Sequence, residues 1–166
     1  MKNLILTFTT LLLTITISAQ TVVDVAVSNK DFSTLVTALK AADLVGALSG
    51  EGPFTVFAPN NDAFAKIDPE ALADLLKPEN VKALSNVLTY HVVSGKLMAS
   101  DISKALKSGY GRTKLTALSG QEFTARSKGG KIFLKDKEGN MSEVIATDVI
   151  GTNGVIHVID SVIMPE

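Results

Sequence analysis

The sequence contains no cysteine and no tryptophan among its 166 residues. The absence of cysteine excludes disulfide bonds, thiolate metal sites, cysteine nucleophiles and a lipid anchor on an N-terminal cysteine. Histidine is also scarce, because only His91 and His157 are present and neither belongs to a His-Glu-x-x-His motif. A zinc site needs several such ligands, so we predict no metal and no cofactor.

Motifs of several common enzyme classes are missing as well. No serine lies at Gly-x-Ser-x-Gly spacing, and the sequence contains neither a Walker-type phosphate loop nor a Gly-x-Gly-x-x-Gly run. Two carboxylates could still pair for glycosidase chemistry, although nothing singles out two particular acidic residues. These absences predict a protein that is not an enzyme.

Charged residues are nearly balanced, with 16 basic and 17 acidic side chains and a formal net charge of −1. This balance gives no reason to expect nucleic acid as a partner. Basic residues do gather in the second half of the chain, interrupted by acidic ones: Arg126, Lys128, Lys131, Lys135 and Lys137. We expect a solvated hairpin there. The alternative is a site for a sulfated glycan, whose binding would depend steeply on salt.

The first residues have the pattern of a secretory signal peptide. A basic start at Lys2 precedes an uncharged apolar run from Leu4 to Ile17, and the small Ala19 follows where a signal peptidase would cut. The run is shorter than the roughly 20 residues that span a bilayer, although an N-terminal membrane anchor is the alternative. We therefore expect residues 1–19 to be removed. Residues 20–166 would then form one secreted or periplasmic domain without a transmembrane segment.

Hydrophobic spacing predicts helices in the first half of the mature chain and strands in the second half. Phe32, Leu35, Val36 and Leu39 recur at i, i+3, i+4 and i+7, which makes one buried stripe of a helix. From Arg112 onward, apolar and polar residues alternate, and glycines separate the runs at hairpin-like spacing. The chain is therefore predicted to be α+β.

The stretch Thr55-Val-Phe-Ala-Pro-Asn-Asn-Asp-Ala-Phe64 predicts a rigid corner between a strand and a helix. Phe57 belongs to the strand, and Pro59 ends it because proline has no N–H to donate. Asn61 and its polar neighbours can accept hydrogen bonds from the free N–H groups of the helix that follows. Phe64 then points back into the core.

This stretch resembles the first signature of the fasciclin (FAS1) domain family. The segment Leu88–Val93 is similar to the central Tyr-His motif of the family, and Thr152–Asp160 is similar to its C-terminal motif. The three segments occur in the order of the family, and the likeness runs from about Val22 to Pro165. The resemblance implies the fasciclin fold, a β-sandwich-like wedge with flanking helices.

Tyr90 and His91 are candidate binding residues on the strength of that resemblance, because the Tyr-His region of animal matrix members is implicated in integrin-type adhesion. The structural interpretation is that His91 hydrogen-bonds a nearby carboxylate or carbonyl group while Tyr90 packs beside it. Asp101 is the carboxylate that we expect to form this hydrogen bond with His91, because the chain turns back at Gly95. We favour the structural interpretation.

Asp148 and Ile150 are further candidate binding residues. An Asp-Ile pair in this region of matrix-type fasciclin domains has been interpreted as an integrin contact, but Val149 follows Asp148 here. The alternative for Asp148 is an exposed carboxylate at the end of a strand.

Asn153 and Gly154 are expected to form a turn in which Gly154 supplies a positive φ angle. His157 lies in an apolar strand and is expected to be a core histidine with a backbone partner.

Together these features favour a secreted single-domain adhesion or binding module. Its partner would be a cell-surface or matrix protein or a polysaccharide, recognised by exposed loops without catalysis. The alternative is a periplasmic carrier or chaperone-like domain that holds a small apolar or carbohydrate ligand between helices and sheet. An enzyme of unknown type is the third hypothesis.

Overall fold

The computed structural model describes residues 20–166, and most of its helices precede the long run of strands. The helices are α1 (Val22–Ser28), α2 (Ser33–Ala41), α3 (Val45–Ser49), α4 (Asn61–Ala65), α5 (Pro69–Leu75), α6 (Val81–Tyr90) and α7 (Ala99–Ser108). The strands are β1 (Phe54–Pro59), β2 (Val92–Ser94), β3 (Arg112–Thr116), β4 (Glu122–Lys128), β5 (Lys131–Lys135), β6 (Met141–Gly151) and β7 (Gly154–Ile159). The predicted α+β class is confirmed. The predicted signal peptide, residues 1–19, lies outside the described residues.

The segment after Gln20, which the sequence suggested only as short and apolar, is helix α1. Thr21 and Asp24 form a capping box, in which the Thr21 hydroxyl oxygen accepts a hydrogen bond from the N–H of Asp24 at 3.2 Å. In return the Asp24 carboxylate accepts one from the N–H of Thr21 at 2.9 Å. Within residues 20–166, every helix is too short or too polar to cross a bilayer.

Strand β1 ends at the predicted corner. Pro59 is its last residue, and the side chain of Asn60 caps helix α4 by accepting a hydrogen bond from the N–H of Ala63 at 2.8 Å. Phe57 and Phe64 are both buried. The strand, the proline, the cap and the aromatic anchor therefore form the rigid corner that the sequence indicates.

Asn61 caps a different helix from the one in which it lies. Its Oδ1 accepts hydrogen bonds from the N–H of Thr34 at 3.1 Å and from the Ser33 hydroxyl at 3.2 Å, both at the start of helix α2. Its Nδ2 donates to the carbonyl oxygen of Lys30 at 2.9 Å. The expectation that Asn61 caps its own helix is wrong, because Asn60 already holds that position. The Asn61 amide instead fixes the corner against α2.

Within residues 20–166 the strands form one seven-stranded mixed sheet in the order β2-β1-β7-β6-β5-β4-β3. Strands β1 and β7 run parallel, from Phe54 opposite Gly154 to Pro59 opposite Ile159, and the other neighbours are antiparallel. A bridge between Val93 and the residue that follows β3, Ala117, brings the two edges of the sheet together. The sheet is therefore nearly closed, which protects its edge strands from pairing with other chains.

Two buried clusters cover the two faces of strand β1. Ala58 belongs to the cluster formed with helices α1, α2, α3 and α6, whereas Phe57 belongs to the cluster formed with helix α7 and strands β4 and β5. This alternation follows from the two-residue period of a strand. Ile156 and Ile159 of strand β7 divide between the clusters in the same way. The predicted central position of β7 is therefore confirmed.

Candidate binding surface

Tyr90, a candidate contact residue from the sequence, is completely buried. Its ring meets that of Phe123 edge to face, with centroids 5.5 Å apart, and its hydroxyl donates to the carbonyl oxygen of Glu122 at 3.2 Å. Burial raises the pKa of Tyr90 to about 12, with a further contribution from the nearby carboxylates of Asp136 and Glu166. The side chain is therefore neutral and has no surface to offer to a partner of the folded domain.

His91 is buried beside it and joins three parts of the chain. Its Nδ1 lies 2.8 Å from the carbonyl oxygen of Val87 in helix α6, and its Nε2 accepts a hydrogen bond from the N–H of Ile163 at 3.1 Å. The backbone carbonyl of His91 also accepts a hydrogen bond from the N–H of Phe57 at 2.8 Å. These partners fix a neutral tautomer with the proton on Nδ1. Burial lowers the pKa of His91 to about 4, so the ring stays neutral at physiological pH.

Asp101 is not the partner of His91, and the predicted pair is wrong. The Asp101 carboxylate accepts a hydrogen bond from the N–H of Met98 at 3.1 Å and so caps the start of helix α7. Backbone groups satisfy His91 instead, because the last turn of helix α6, which ends just before it, and the C-terminal segment both pass within hydrogen-bonding distance.

His157 and Asp148, which the sequence treats as separate features, are linked in the structure. The buried His157 ring lies with Nε2 2.7 Å from the carbonyl oxygen of Leu97, and its Nδ1 accepts a hydrogen bond from the N–H of Asp148 at 3.3 Å. The Asp148 carboxylate accepts a hydrogen bond from the N–H of Ala99 at 2.8 Å. Asp148 is therefore engaged in holding helix α7 to the sheet. Among the four candidate contact residues, Ile150 is the exposed one, with 59% of its surface accessible.

Asn153 and Gly154 serve the packing of the chain. The Asn153 Oδ1 accepts a hydrogen bond from the N–H of Val22 at 2.9 Å, and its Nδ2 donates to the carbonyl oxygens of Leu48 and Gly50 at 2.8 and 2.9 Å. A Cβ atom on Gly154 would lie 2.1 Å from the carbonyl oxygen of Phe54. Gly154 has no positive φ angle, so the predicted reason for this glycine is wrong. The close approach of strand β1 requires it instead.

The outward side of strands β3 to β6 carries an excess of positive charge, and we call it the basic face. Buried Phe123, Ala125 and Leu134 point inward, so the alternate residues point outward. The outward charged residues are Arg112, Lys114, Glu122, Arg126, Lys128, Lys131, Lys135 and Glu143. Six of these are basic and two are acidic, so the face is not the balanced surface that the whole-chain charge suggests.

Two ion pairs neutralise part of the basic face. Lys114 lies 2.9 Å from Glu122, and Lys131 lies 2.7 Å from Glu143. Lys137, which the sequence groups with these residues, pairs with Glu166 at 3.2 Å beyond the end of β5. Among residues 20–166, no ion pair forms to the four remaining basic side chains of the face, namely Arg112, Arg126, Lys128 and Lys135.

Three surface concavities meet at Arg126. One of about 540 Å³ is also lined by Tyr110, Arg112, Lys128 and Met141. A second of about 390 Å³ extends from Arg112 toward Lys114 and Thr124, and a third of about 280 Å³ extends toward Lys135. Tyr110 stands at the border of the first, 99% exposed and with a left-handed φ angle of 53°. Sequence reasoning missed Arg112 and Tyr110, because the pairing of β3 with β4 brings Arg112 to the cluster around Arg126 and the turn after helix α7 brings Tyr110 there.

The space between helices α1 to α3 and the sheet is nearly filled, whereas a surface concavity of about 440 Å³ lies between helix α7 and the sheet, with Leu106 and Ile132 among its lining residues. The apolar cavity lined by Val22, Leu35, Leu39, Val56 and Ile156 holds about 10 Å³. Such a volume is at most that of one water molecule. Pockets for small ligands are typically about 300–1,000 Å³.

Comparisons with known proteins identify the class to which this fold belongs. The sequence model of the Fasciclin domain matches residues 30–165. The chain is 51% identical over 148 residues to Protein sll1483 of Synechocystis, covering 89% of this chain and 75% of that protein. It is 34% identical over 145 residues to transforming growth factor-beta-induced protein ig-h3 of Oryctolagus cuniculus, covering 87% of this chain and 19% of that longer protein.

A solved structure gives the same result for the fold. The FAS1 domain pair of the insect cell adhesion molecule Fasciclin I matches with a TM-score of 0.75 at 21% sequence identity, over 86% of this chain and 50% of that chain. The chain belongs to the Fasciclin domain family and has the FAS1 fold. The resemblance of the three sequence signatures is therefore confirmed.

Proposed function

We propose that this protein is a non-catalytic adhesion or binding module whose partner is a protein or polysaccharide of a cell surface or extracellular matrix. The main observation in support is that some polar side chains are buried in the core while others are exposed on one face. Tyr90, His91 and His157 are buried and satisfied by backbone groups, whereas the basic face is open and largely unpaired. Recognition by an exposed face on a rigid scaffold needs no reactive group.

Family membership supports a role in adhesion. The solved FAS1 domain pair comes from a protein described as a cell adhesion molecule. This chain spans only about a fifth of the length of the ig-h3 relative, and a single Fasciclin domain binds through one copy of the module. Monovalent binding is weaker than multivalent binding at equal site affinity. Strong adhesion would therefore require self-association or attachment at a second point.

The alternative role as a carrier of small ligands has less support. Its expected site is the space between helices and sheet, and the apolar cavity under helices α1 to α3 is about 10 Å³. A ligand there would have to displace core side chains such as Leu35 and Ile156, which are almost fully buried. Close-packed interiors resist such insertion. The concavity of about 440 Å³ beside helix α7 lies at the surface and is the place where a carried ligand would fit without such displacement.

The proposed site of action is outside the cytoplasm, in the periplasm or the surrounding medium. This part of the proposal depends on the signal-peptide pattern of residues 1–19. Mass spectrometry of protein recovered from its native source tests it. We expect the mature chain to begin near Gln20, and recovery of intact Met1 from the periplasm or medium would contradict it.

Retention on native surfaces tests the proposed function. Beads coated with the purified protein are passed over cells of the source organism and over their extracellular matrix, and retention is compared with beads that carry an unrelated domain of similar size and charge. We expect clearly greater retention of the fasciclin-domain beads. Equal retention of the two kinds of bead would refute a role in adhesion.

Substitution of Ile150 distinguishes a protein partner from a polysaccharide partner in this assay. An exposed apolar side chain contributes to a protein interface and contributes little to the binding of an anionic polysaccharide. Ile150→Ser should therefore lower retention if the partner is a protein bound at the Asp148–Ile150 segment of strand β6. Val27→Ser is the matched control, because Val27 is 53% exposed and lies on helix α1.

A further inference from the structure

We propose that the basic face is a binding site for an acidic polysaccharide, a linear glycan that carries carboxylate or sulfate groups. The site centres on Arg112 and Arg126, with Lys128 and Lys135 on either side and Tyr110 at its border. This inference rests on the proposed function, because it names the partner class of the same binding module.

Like charges face each other on the basic face, which favours binding of an anion. Arg112 and Arg126 are directly opposite each other across strands β3 and β4, and Lys128 is directly opposite Lys131 across β4 and β5. Like charges in directly opposite positions destabilise a sheet. Lys131 is compensated by Glu143, but the two arginines form no ion pair within residues 20–166. A bound anion would remove this repulsion.

The Arg126 side chain provides a second argument. Its Nε is buried and has no hydrogen-bond partner among the described residues. A buried donor without a partner is unfavourable. The guanidinium group carries several N–H donors in a planar fork, and carboxylate and sulfate groups offer paired oxygens that fit it. Because Nε itself has almost no accessible surface, a ligand anion would bond to Arg126 through the terminal Nη groups of the guanidinium.

The shape of the surface favours a polymer over a small anion. Concavities of about 540, 390 and 280 Å³ share Arg126 and extend from it toward Tyr110, Lys114 and Lys135. A single sulfate or phosphate ion would fill a small part of one of them. A chain with charged groups at regular intervals can place successive anions along the first two, whereas the third is also lined by the carboxylates of Glu122 and Asp136.

Tyr110 favours a sugar chain among the possible polyanions. Its ring is 99% exposed at the border of the largest concavity, and such a ring offers a flat apolar surface to the C–H face of a sugar. The sequence pI of about 6.1 argues against nucleic acid, since nucleic-acid-binding domains are usually strongly basic. Acidic peptides lack the rigid ring faces that the exposed tyrosine can stack on.

Direct binding measurements test the proposal. The purified protein is titrated with alginate as the carboxylated glycan and heparin as the sulfated glycan, at 50 and 300 mM salt. Neutral dextran, poly-glutamate and single-stranded DNA serve as comparison ligands. We expect at least one acidic glycan to bind more tightly than all three comparison ligands, with affinity falling as the salt concentration rises.

Paired variants locate the site. Arg112→Gln combined with Arg126→Gln should weaken glycan binding by at least about tenfold, the loss expected from removing two charge-assisted contacts. Lys40→Gln combined with Lys82→Gln removes the same charge from exposed positions on helices α2 and α6, and should change affinity less than about twofold. Tyr110→Ala should weaken glycan binding by a few fold at unchanged charge.

Several results would overturn the proposal. The first is failure of both glycans to bind. The second is an equal loss of affinity in the two double variants. The third is tighter binding of poly-glutamate or DNA than of both glycans. The arginine variant should unfold at the same or a higher denaturant concentration, because it removes a like-charge pair, and this shows that any loss is not a folding defect. Native-surface retention that survives the arginine substitutions would refute this site and leave the proposed function standing. Absence of wild-type retention would refute the proposed function itself.

Discussion

The Nε2 atom of His91 accepts a hydrogen bond from the backbone N–H of Ile163, 3.1 Å away, so the Tyr-His signature is tied to the C-terminal end of the domain. The two residues are 72 positions apart in the chain. Both are buried, and the Nδ1 atom of the same ring lies 2.8 Å from the carbonyl oxygen of Val87. One imidazole therefore satisfies two buried backbone groups, and its place in the core is structural.

Replacing His91 should destabilise the fold. His91→Ala leaves the N–H of Ile163 and the carbonyl of Val87 buried without partners and also opens a cavity, which we expect to lower the free energy of unfolding by about 2–4 kcal/mol. Urea denaturation followed by circular dichroism measures the change. Lys82→Ala is the control on helix α6, which ends just before His91, with an exposed side chain and an expected change below about 0.5 kcal/mol. A His91→Ala protein as stable as wild type would contradict the structural role.

The stability of the domain should fall at mildly acidic pH through His91. Its pKa is about 4 in the folded state against 6.5 in the unfolded chain, because burial disfavours the charged ring. The unfolded state therefore binds the proton first, so stability is complete above pH 6.5 and is lost as the pH falls toward 4. Linkage puts the loss at roughly 3 kcal/mol at pH 4.

Proton NMR of the two histidine rings tests this pKa directly. The resonance that disappears in His91→Asn should keep a constant shift in the wild-type protein between pH 7.5 and pH 5. Titration of that resonance with a midpoint near 6.5 would show that the ring is solvated and would contradict the buried geometry.

Gly154→Ala should disrupt the parallel pairing of β1 with β7. The added Cβ would lie 2.1 Å from the carbonyl oxygen of Phe54, so the two strands must separate. We expect a loss of more than about 3 kcal/mol or no folded protein. Gly46→Ala is the matched control, because no atom lies within 4 Å of its added Cβ and alanine favours helix α3. Equal stability of the two variants would show that the strands do not approach this closely.

Asn153→Ala should loosen the N-terminal part of the domain. It removes the acceptor of the Val22 N–H and the donor to the carbonyl oxygens of Leu48 and Gly50, and we expect a loss of about 1–3 kcal/mol. Hydrogen exchange should accelerate most in helices α1 and α3. Thr152→Ala, at the neighbouring exposed position, removes only one hydrogen bond, to the carbonyl oxygen of Gln20 at 3.2 Å, and should change exchange there much less. A uniform acceleration across the sheet would contradict the local role of Asn153.

Ile150→Ser should leave retention on native surfaces unchanged if the basic face binds an acidic glycan. Ile150 belongs to the Asp148–Ile150 segment of strand β6 and does not line the concavities around Arg126. The measurement is the bead assay, with Val27→Ser as its control. A loss specific to Ile150→Ser would favour a protein partner over the glycan.

The sequence predicted the fold more completely than the site. The helical stripe through Leu35 and Leu39, the corner at Pro59 and the central position of β7 depend on local patterns, which the chain displays directly. The hydrogen-bond partners of His91 and Asn61 depend on packing between distant segments. Local spacing therefore suggested Asp101 as the partner of His91, and it suggested that Asn61 caps its own helix. The sequence correctly indicated that position 154 requires glycine. The reason is the close approach of the neighbouring strand β1, and a positive φ angle is not involved.

The basic face was only partly predictable for the same reason. Arg126 and Lys128 stood out as members of a basic run, and their spacing of two places them on one side of a strand. Arg112 joins them through the register of β3 with β4, and Tyr110 through the turn that follows α7. Charge counts along the chain could not show that Glu122 and Glu143 neutralise two lysines and leave both arginines unpaired.

The central claim is that residues of the family signatures, such as Tyr90, stabilise the fold, whereas the basic face binds the glycan. Glycan affinity of Tyr90→Phe, measured beside the variant carrying Arg112→Gln and Arg126→Gln, tests it most directly. Tyr90→Phe removes only a hydroxyl bonded to the carbonyl of Glu122 and should lose about 1 kcal/mol of stability while binding as tightly as wild type. The arginine variant should keep its stability and lose at least about tenfold in affinity. The reverse result, in which folded Tyr90→Phe loses binding and the arginine variant does not, would contradict the account.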